Sequence, residues 1–126
     1  MTGDEIVLTI PREESFHEVA HLVLAGVASR LNLSFESLDD LETALDAVLE
    51  RAAEDGELTV KLRVADGAIR AVVGPFAADR LRAELERAPG ELVDLRRILD
   101  TVLDGYELDA DGWLELTKHV GEEGPA

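Results

Sequence analysis

The sequence predicts an α+β fold, a two-layer α/β sandwich on a mostly antiparallel sheet. Three observations lead there. Alternating and helical hydrophobic periods follow one another in the order β-α-α-β-β-α-α-β-β. Two pairs of strand segments are joined by short turn-forming stretches, and hairpins make antiparallel neighbours. No internal repeat or linker interrupts the 126 residues. One domain over residues 1–120 is expected, with a polar, disordered tail over 121–126. Four helices must then cover one or both faces of the sheet.

Each element has its own signal. Ile6 to Ile10 is a short apolar run closed by Pro11, which suits an edge strand. Phe16, Val19, Ala20, Val23, Leu24, Val27 and Leu31 recur at intervals of three and four and predict a buried helical face. A second helix starts after Ser34 or Ser37, either a good N-cap, and buries Leu38, Leu41, Leu45, Val48, Leu49 and Ala52. It ends at Asp55-Gly56. Leu58 to Val64 alternates apolar and polar, and Asp66-Gly67 turns the chain into Ile69 to Val73. Gly74-Pro75 stops that strand. A weaker helix over Ala77 to Ala88 has only Leu81 and Leu85 as large anchors. Pro89-Gly90 separates it from a helix over Glu91 to Asp104, with Leu92, Leu95, Ile98, Leu99, Val102 and Leu103 on one side. Tyr106 to Leu108 and Trp113 to Val120 form a last hairpin about Asp109-Ala110-Asp111-Gly112.

Composition narrows the function. Twelve Lys and Arg against 28 Asp and Glu leave a formal charge of −16. That argues against nucleic acid and anionic lipid, whose binding rests on clustered cations. With no cysteine, disulfides, thiol catalysis and Cys-ligated zinc are excluded. The most apolar run, Leu22 to Ala28, is far shorter than the ~18 residues of a membrane span. The acidic start, Met1 to Glu5, lacks the basic character of a secretory leader. A cytoplasmic protein is expected.

His17-Glu18-Val19-Ala20-His21 spells the H-E-x-x-H pattern, in which two imidazoles one turn apart hold zinc and the Glu serves as base. The extended form of that pattern is missing, because Leu24 and Val27 stand at its next positions. A helical wheel places His17, Glu18 and His21 opposite the apolar stripe, on a solvent-facing flank. No metal site is expected. Asp39, Asp40, Glu42, Asp46, Glu50, Glu54, Asp55 and Glu57 crowd the second helix and its exit. They serve as its solvated side, with Asp39 and Asp40 favourable near the positive end of the helix dipole. Asp109-x-Asp111-Gly112 is explained by turn chemistry.

The run I-V-L-T-I-P (6–11), and then A-G-V-A-S-R-L-N-L-S-F-E-S-L-D-D-L-E-T-A-L-D-A-V-L-E-R-A-A (25–53), resembles the anti-sigma-factor serine kinases of the histidine-kinase-like ATPase (Bergerat, or GHKL) superfamily. The likeness continues through both hairpins and L-D-G-Y-E-L (103–108). It implies helices on one face of the sheet, and a chemistry carried by three short boxes. The first is a Glu base with a magnesium-holding Asn four residues on. An ungapped helix from Leu38 places these at Ala47 and Arg51, and a slip of one places them at Asp46 and Glu50. A methyl group is no base, and a guanidinium cannot ligate a cation. The second box, D-x-G-x-G, keeps only Gly74, with Val72 where the adenine-reading Asp belongs. The third, a phosphate-binding G-x-G-L, stands as Leu92-Val93-Asp94-Leu95, and Asp94 would repel phosphate. The Gly-Thr that supports adenine is Gly112-Trp113.

Four losses together imply a scaffold that has given up nucleotide, so neither ATP nor magnesium is expected as cofactor. Ala47, Val72, Leu92 and Trp113 would suit a filled adenine pocket. The resemblance then leaves a regulatory module that holds a sigma factor or an antagonist protein by contact alone. It also implies a homodimer through the first strand and helix, Ile6 to Leu31, where Leu22 lies off the main stripe and lacks cover. The alternative is an active ATP-dependent serine-protein kinase and anti-sigma factor using Asp46 and Glu50.

Overall fold

A computed structural model describes residues 5–11, 16–30, 33–51, 56–65, 67–86 and 95–119. The elements are β1 (Glu5–Pro11), α1 (His17–Arg30), α2 (Phe35–Leu49), β2 (Glu57–Ala65), β3 (Ala68–Gly74), α3 (Ala78–Glu86), α4 (Leu95–Val102), β4 (Gly105–Leu108) and β5 (Leu114–His119). Their order is the one the sequence predicts. The five strands form one sheet in the order β1-β2-β3-β5-β4, and every neighbouring pair is antiparallel. β1 lies at an edge, as Pro11 suggests. Leu31, Ala52, Asp55, Asp66, Pro89-Gly90, the first residues of the expected fourth helix and the tail over 121–126 lie outside the described residues.

Strand period two sorts side chains onto two faces. Leu58, Val60 and Leu62 of β2, Ile69 and Val73 of β3, and Leu114 and Leu116 of β5 are buried on one face. They share a single core with Leu24, Leu41, Leu45, Leu49, Leu95 and Leu99 of the helices. Each such leucine contributes about 2 kcal/mol on burial. The helices therefore cover that face. The opposite face carries Val7, Thr59, Lys61, Arg63, Arg70, Val72, Glu115 and Thr117, and no described helix packs on it.

Local chemistry sets the element ends. Ser34 is the N-cap of α2: its backbone is extended, and its Oγ accepts the Ser37 N–H at 3.0 Å. Gly67, at a φ of 74°, supplies the left-handed residue of the β2–β3 turn. In the β4–β5 turn, Asp109 Oδ1 accepts from the N–H groups of Asp111 (2.8 Å) and Trp113 (3.0 Å), so its carboxylate shapes the turn as expected. Gly112 sits at a φ of 92°, and a Cβ there would fall 2.1 Å from the Phe76 carbonyl oxygen. Only glycine fits, because the Phe76 N–H donates to Gly112 O at 2.7 Å and clamps the β3–α3 loop onto this turn.

The orientation of α1 differs from the sequence expectation. Ala20, Leu24 and Val27 are buried as predicted, but the other members of the inward face are His17 and Ala28. Phe16 and Val19 are each 37% exposed. The wheel placed His17 in solvent; instead it is only 9% exposed, and its Nε2 has no hydrogen-bond partner. The physical reason is that α1 is apolar on more than one side, so periodicity does not select the face. Small Ala20 and Ala28 suit close packing, and larger side chains are left outside.

Candidate functional site

The outer side of the helical layer carries an open groove of about 360 Å³. Its wall and floor come from α2. Asp39, Glu42, Thr43, Asp46, Ala47 and Glu50 recur at three and four along one side of that helix, opposite Leu38, Leu41, Leu45 and Leu49. His21 of α1 closes one flank, and Ile98 of α4 the other. His21 Nε2 lies 3.5 Å from Asp46 Oδ1. Thr43 Oγ1 donates to the Asp39 carbonyl at 2.9 Å, so that hydroxyl is already engaged. The lining thus holds four carboxylates and, besides one imidazole, no cationic side chain. Such a lining favours cations and disfavours phosphate.

Ala47, Asp46 and Glu50 all line this groove, whereas Arg51 turns away from it. Its Nε and Nη2 donate to Glu84 Oε2 of α3 at 3.1 and 2.9 Å, and its Nη1 donates to the Ala47 carbonyl at 3.0 Å. Glu50 Oε1 lies 3.7 Å from Nη1. The residue standing at the magnesium-ligand position is therefore a strut between α2 and α3. A similar tie holds the other end of α2: Lys118 Nζ on β5 donates to Asp40 Oδ2 at 2.9 Å and to the Val102 carbonyl at 3.0 Å. Sequence reasoning named neither Glu84 nor Lys118. Their partners lie 33 and 78 residues away, and no local pattern marks such pairs.

The remaining positions do not join Ala47. Val72 pairs with Lys61 and Glu115 in the sheet and faces away from the helices. The Trp113 ring packs against Gly74, where an added Cβ would meet ring carbons at 3.0 Å. Lys61 Nζ stands 5.0 Å from the centre of the same ring, close enough for a cation–π contact. Lys61 and Val72 belong to the face that the helices leave open, so the expected filling of one pocket by Ala47, Val72 and Trp113 is corrected. The strand period separates them. Leu92 and Asp94 lie outside the described residues.

Among the described residues, no group of three or more His, Asp or Glu side chains is placed to hold a metal ion. No described helix is long and apolar enough to cross a membrane. The Tyr106 hydroxyl is pushed up to about 12 by burial, helped by a 2.7 Å hydrogen bond to Asp100 Oδ1 and by that carboxylate's charge.

The fold and groove define an antiparallel α/β sandwich with its helices on one face and a helix-lined cleft. Among proteins of this kind, the chain is similar to the serine-protein kinase RsbW of Listeria innocua, with 26% identity over 95% of this chain and 90% of the relative. The RsbW of Listeria monocytogenes matches to the same extent. That of Oceanobacillus iheyensis is 29% identical over 75% of this chain and 56% of its own length. No family model matches the chain. The resemblance to the anti-sigma-factor serine kinases therefore extends along nearly the whole domain, at a distance where packing positions are kept more readily than site residues.

Proposed function

We propose that this protein is an RsbW-like regulator that acts by protein–protein contact and has lost nucleotide binding and kinase activity. One observation carries the reading. The groove that holds Ala47, at the position the resemblance assigns to the catalytic base, is lined by four carboxylates. Arg51, at the neighbouring metal-ligand position, is committed to Glu84 and the Ala47 carbonyl. A methyl group, a bound guanidinium and an acidic wall do not make a magnesium–triphosphate site. The partner is a sigma factor or its antagonist protein, held in the cytoplasm, and the regulator works as a homodimer. Exposed Leu22, with 68% of its surface free, Val19 beside it on α1 and Phe16 just before that helix supply apolar contact area for the regulated protein.

A second reading has its own support. Asp46 and Glu50 both line the groove, as an active ATP-dependent serine-protein kinase in the slipped register requires. A melting-temperature titration with millimolar Mg-ATP separates the two, because a ligand that binds the native state raises its stability. No shift is expected. A rise of several degrees, with phosphate transfer to a serine of the antagonist, would replace the first reading by the second.

A further inference from the structure

On the face of the sheet opposite the helices, Arg63 of β2 stands directly opposite Arg70 of β3. Like charges directly opposite one another destabilise a sheet. Neither side chain has an ion pair or hydrogen bond with the described residues. Their neighbours across the sheet do not supply one. Glu5 faces Arg63 from β1 without pairing with it, and uncharged Thr117 of β5 faces Arg70. Lys61, the other cation of β2, lies over the Trp113 ring. A chain with 28 acidic residues thus leaves two adjacent guanidiniums unneutralised, on a face that no described helix covers.

The segment that follows β5 has the matching charge. Residues 120–126 read Val-Gly-Glu-Glu-Gly-Pro-Ala, with two adjacent carboxylates between two glycines and no cation. β5 ends at His119, which pairs with Ala68, and Arg70 stands two residues further along β3. With strands about 4.8 Å apart and a rise of about 3.3 Å per residue, the Arg70 backbone lies about 8 Å from that of His119 and the Arg63 backbone about 12 Å. Glu122 and Glu123 are three and four residues beyond His119, and extended chain spans about 10 and 13 Å over those lengths. The long arginine side chains shorten both gaps. Gly121 permits the backbone reversal that such a path needs.

We propose that residues 120–126 fold back across the open face of the sheet and set Glu122 and Glu123 on Arg70 and Arg63. Each guanidinium gains a carboxylate, and the repulsion between the two arginines is relieved. Exposed ion pairs are weak singly. Here the acidic segment is tethered a few residues away, which gives it an effective concentration of about millimolar, and its two pairs form together. An acidic segment of another protein meets the same arginines without that advantage. The charge of −16 repels Glu122 and Glu123 from most of the surface, and the arginine pair is a place that attracts them. The docked segment closes this half of the face to other anionic groups. The inference rests neither on the loss of nucleotide binding nor on the homodimer.

Paramagnetic relaxation of backbone amides in the full chain tests this. The sequence has no cysteine, so Ala126→Cys carries a single nitroxide. Relaxation enhancement is expected at the amides of Glu5, Arg63 and Arg70, and should fall at least about twofold when Glu122→Lys/Glu123→Lys is added. Arg63→Glu/Arg70→Glu is expected to release the segment to the same extent, and the two charge reversals combined to bring it back. Should Arg63→Glu/Arg70→Glu lose the native circular dichroism spectrum, Arg63→Glu alone, at an exposed position, carries the same rescue test with Glu123→Lys. Enhancement that is equal with and without the two carboxylates, or a combined variant that stays released, would overturn the assignment. So would enhancement on a nitroxide-free, isotope-labelled copy mixed with a nitroxide-bearing one, which places the segment on a second chain.

Discussion

Helices α1 and α2 lie side by side on the same sheet, yet they relate differently to their sequences. Beyond its first residue, Phe35, which is 86% exposed, α2 is apolar on one side and acidic on the other, and its large buried residues Leu41, Leu45, Val48 and Leu49 are those its periodicity selects. α1 is apolar around most of its circumference. It buries His17, Ala20, Leu24, Val27 and Ala28 and leaves Phe16, Val19 and Leu22 partly or largely in solvent. A helix that needs one covered face shows a clean stripe, and a helix with surplus apolar surface hides which face is inside.

Substitutions can break or sharpen this contrast. The largest effect is expected from Leu45→Ala on α2, which empties a fully buried site and should cost about 3 kcal/mol in urea unfolding. Lys118→Ala cuts the tie from β5 to Asp40 and the end of α4, and is expected to cost about 2 kcal/mol in the same measurement. On α1, His17→Leu removes a buried nitrogen that has no partner and should stabilise the fold by about 1 kcal/mol. A loss of stability instead would show that His17 makes a polar contact the native state needs. Leu22→Ser is expected to change stability by less than about 0.5 kcal/mol, while weakening the contact with the regulated protein.

Tyr106 gives an optical readout of the same contrast, since it is the sole tyrosine. Its folded pKa of about 12 exceeds the ordinary value of 10.0. The native state therefore holds this proton more tightly than the unfolded chain. The associated stability is complete below pH 10 and is lost as pH rises from about 10 to about 12. Tyrosinate absorbance should titrate near 12 in the wild type and in Leu22→Ser. It should move toward 10 in Asp100→Asn, and also in Leu45→Ala if loosening α2 opens the layer against which Tyr106 packs.

Much of the fold was legible because it rests on local rules. Pro11 marked β1 as an edge strand, Asp66-Gly67 marked the first hairpin, and the Asp109 turn marked the second. For α2, Ser34 and Ser37 were equal as caps on paper; the structure selects Ser34, because its Oγ reaches the Ser37 N–H. The candidate site was less legible. Asp46, Ala47 and Glu50 line one groove because they share one side of a helix, which spacing predicts. Val72 and Trp113 were expected to join Ala47, but β3 turns Val72 to the other side of the sheet. Residue type at an aligned position says what chemistry is missing. It does not say which layer the side chain enters.

By itself, the sequence determined the order of elements, the two hairpins, the buried side of α2 and the acidity of the surface. Each follows from interactions within a few residues or from a sum over the whole chain. The tertiary structure decided which side of α1 is covered, that Arg51 reaches Glu84, that Lys118 reaches Asp40, and that Arg63 and Arg70 stand together opposite the helical layer. Those outcomes depend on strand register and on which side chains fit between packed elements. Both are set by contacts between residues far apart in the chain, which hydrophobic period does not encode.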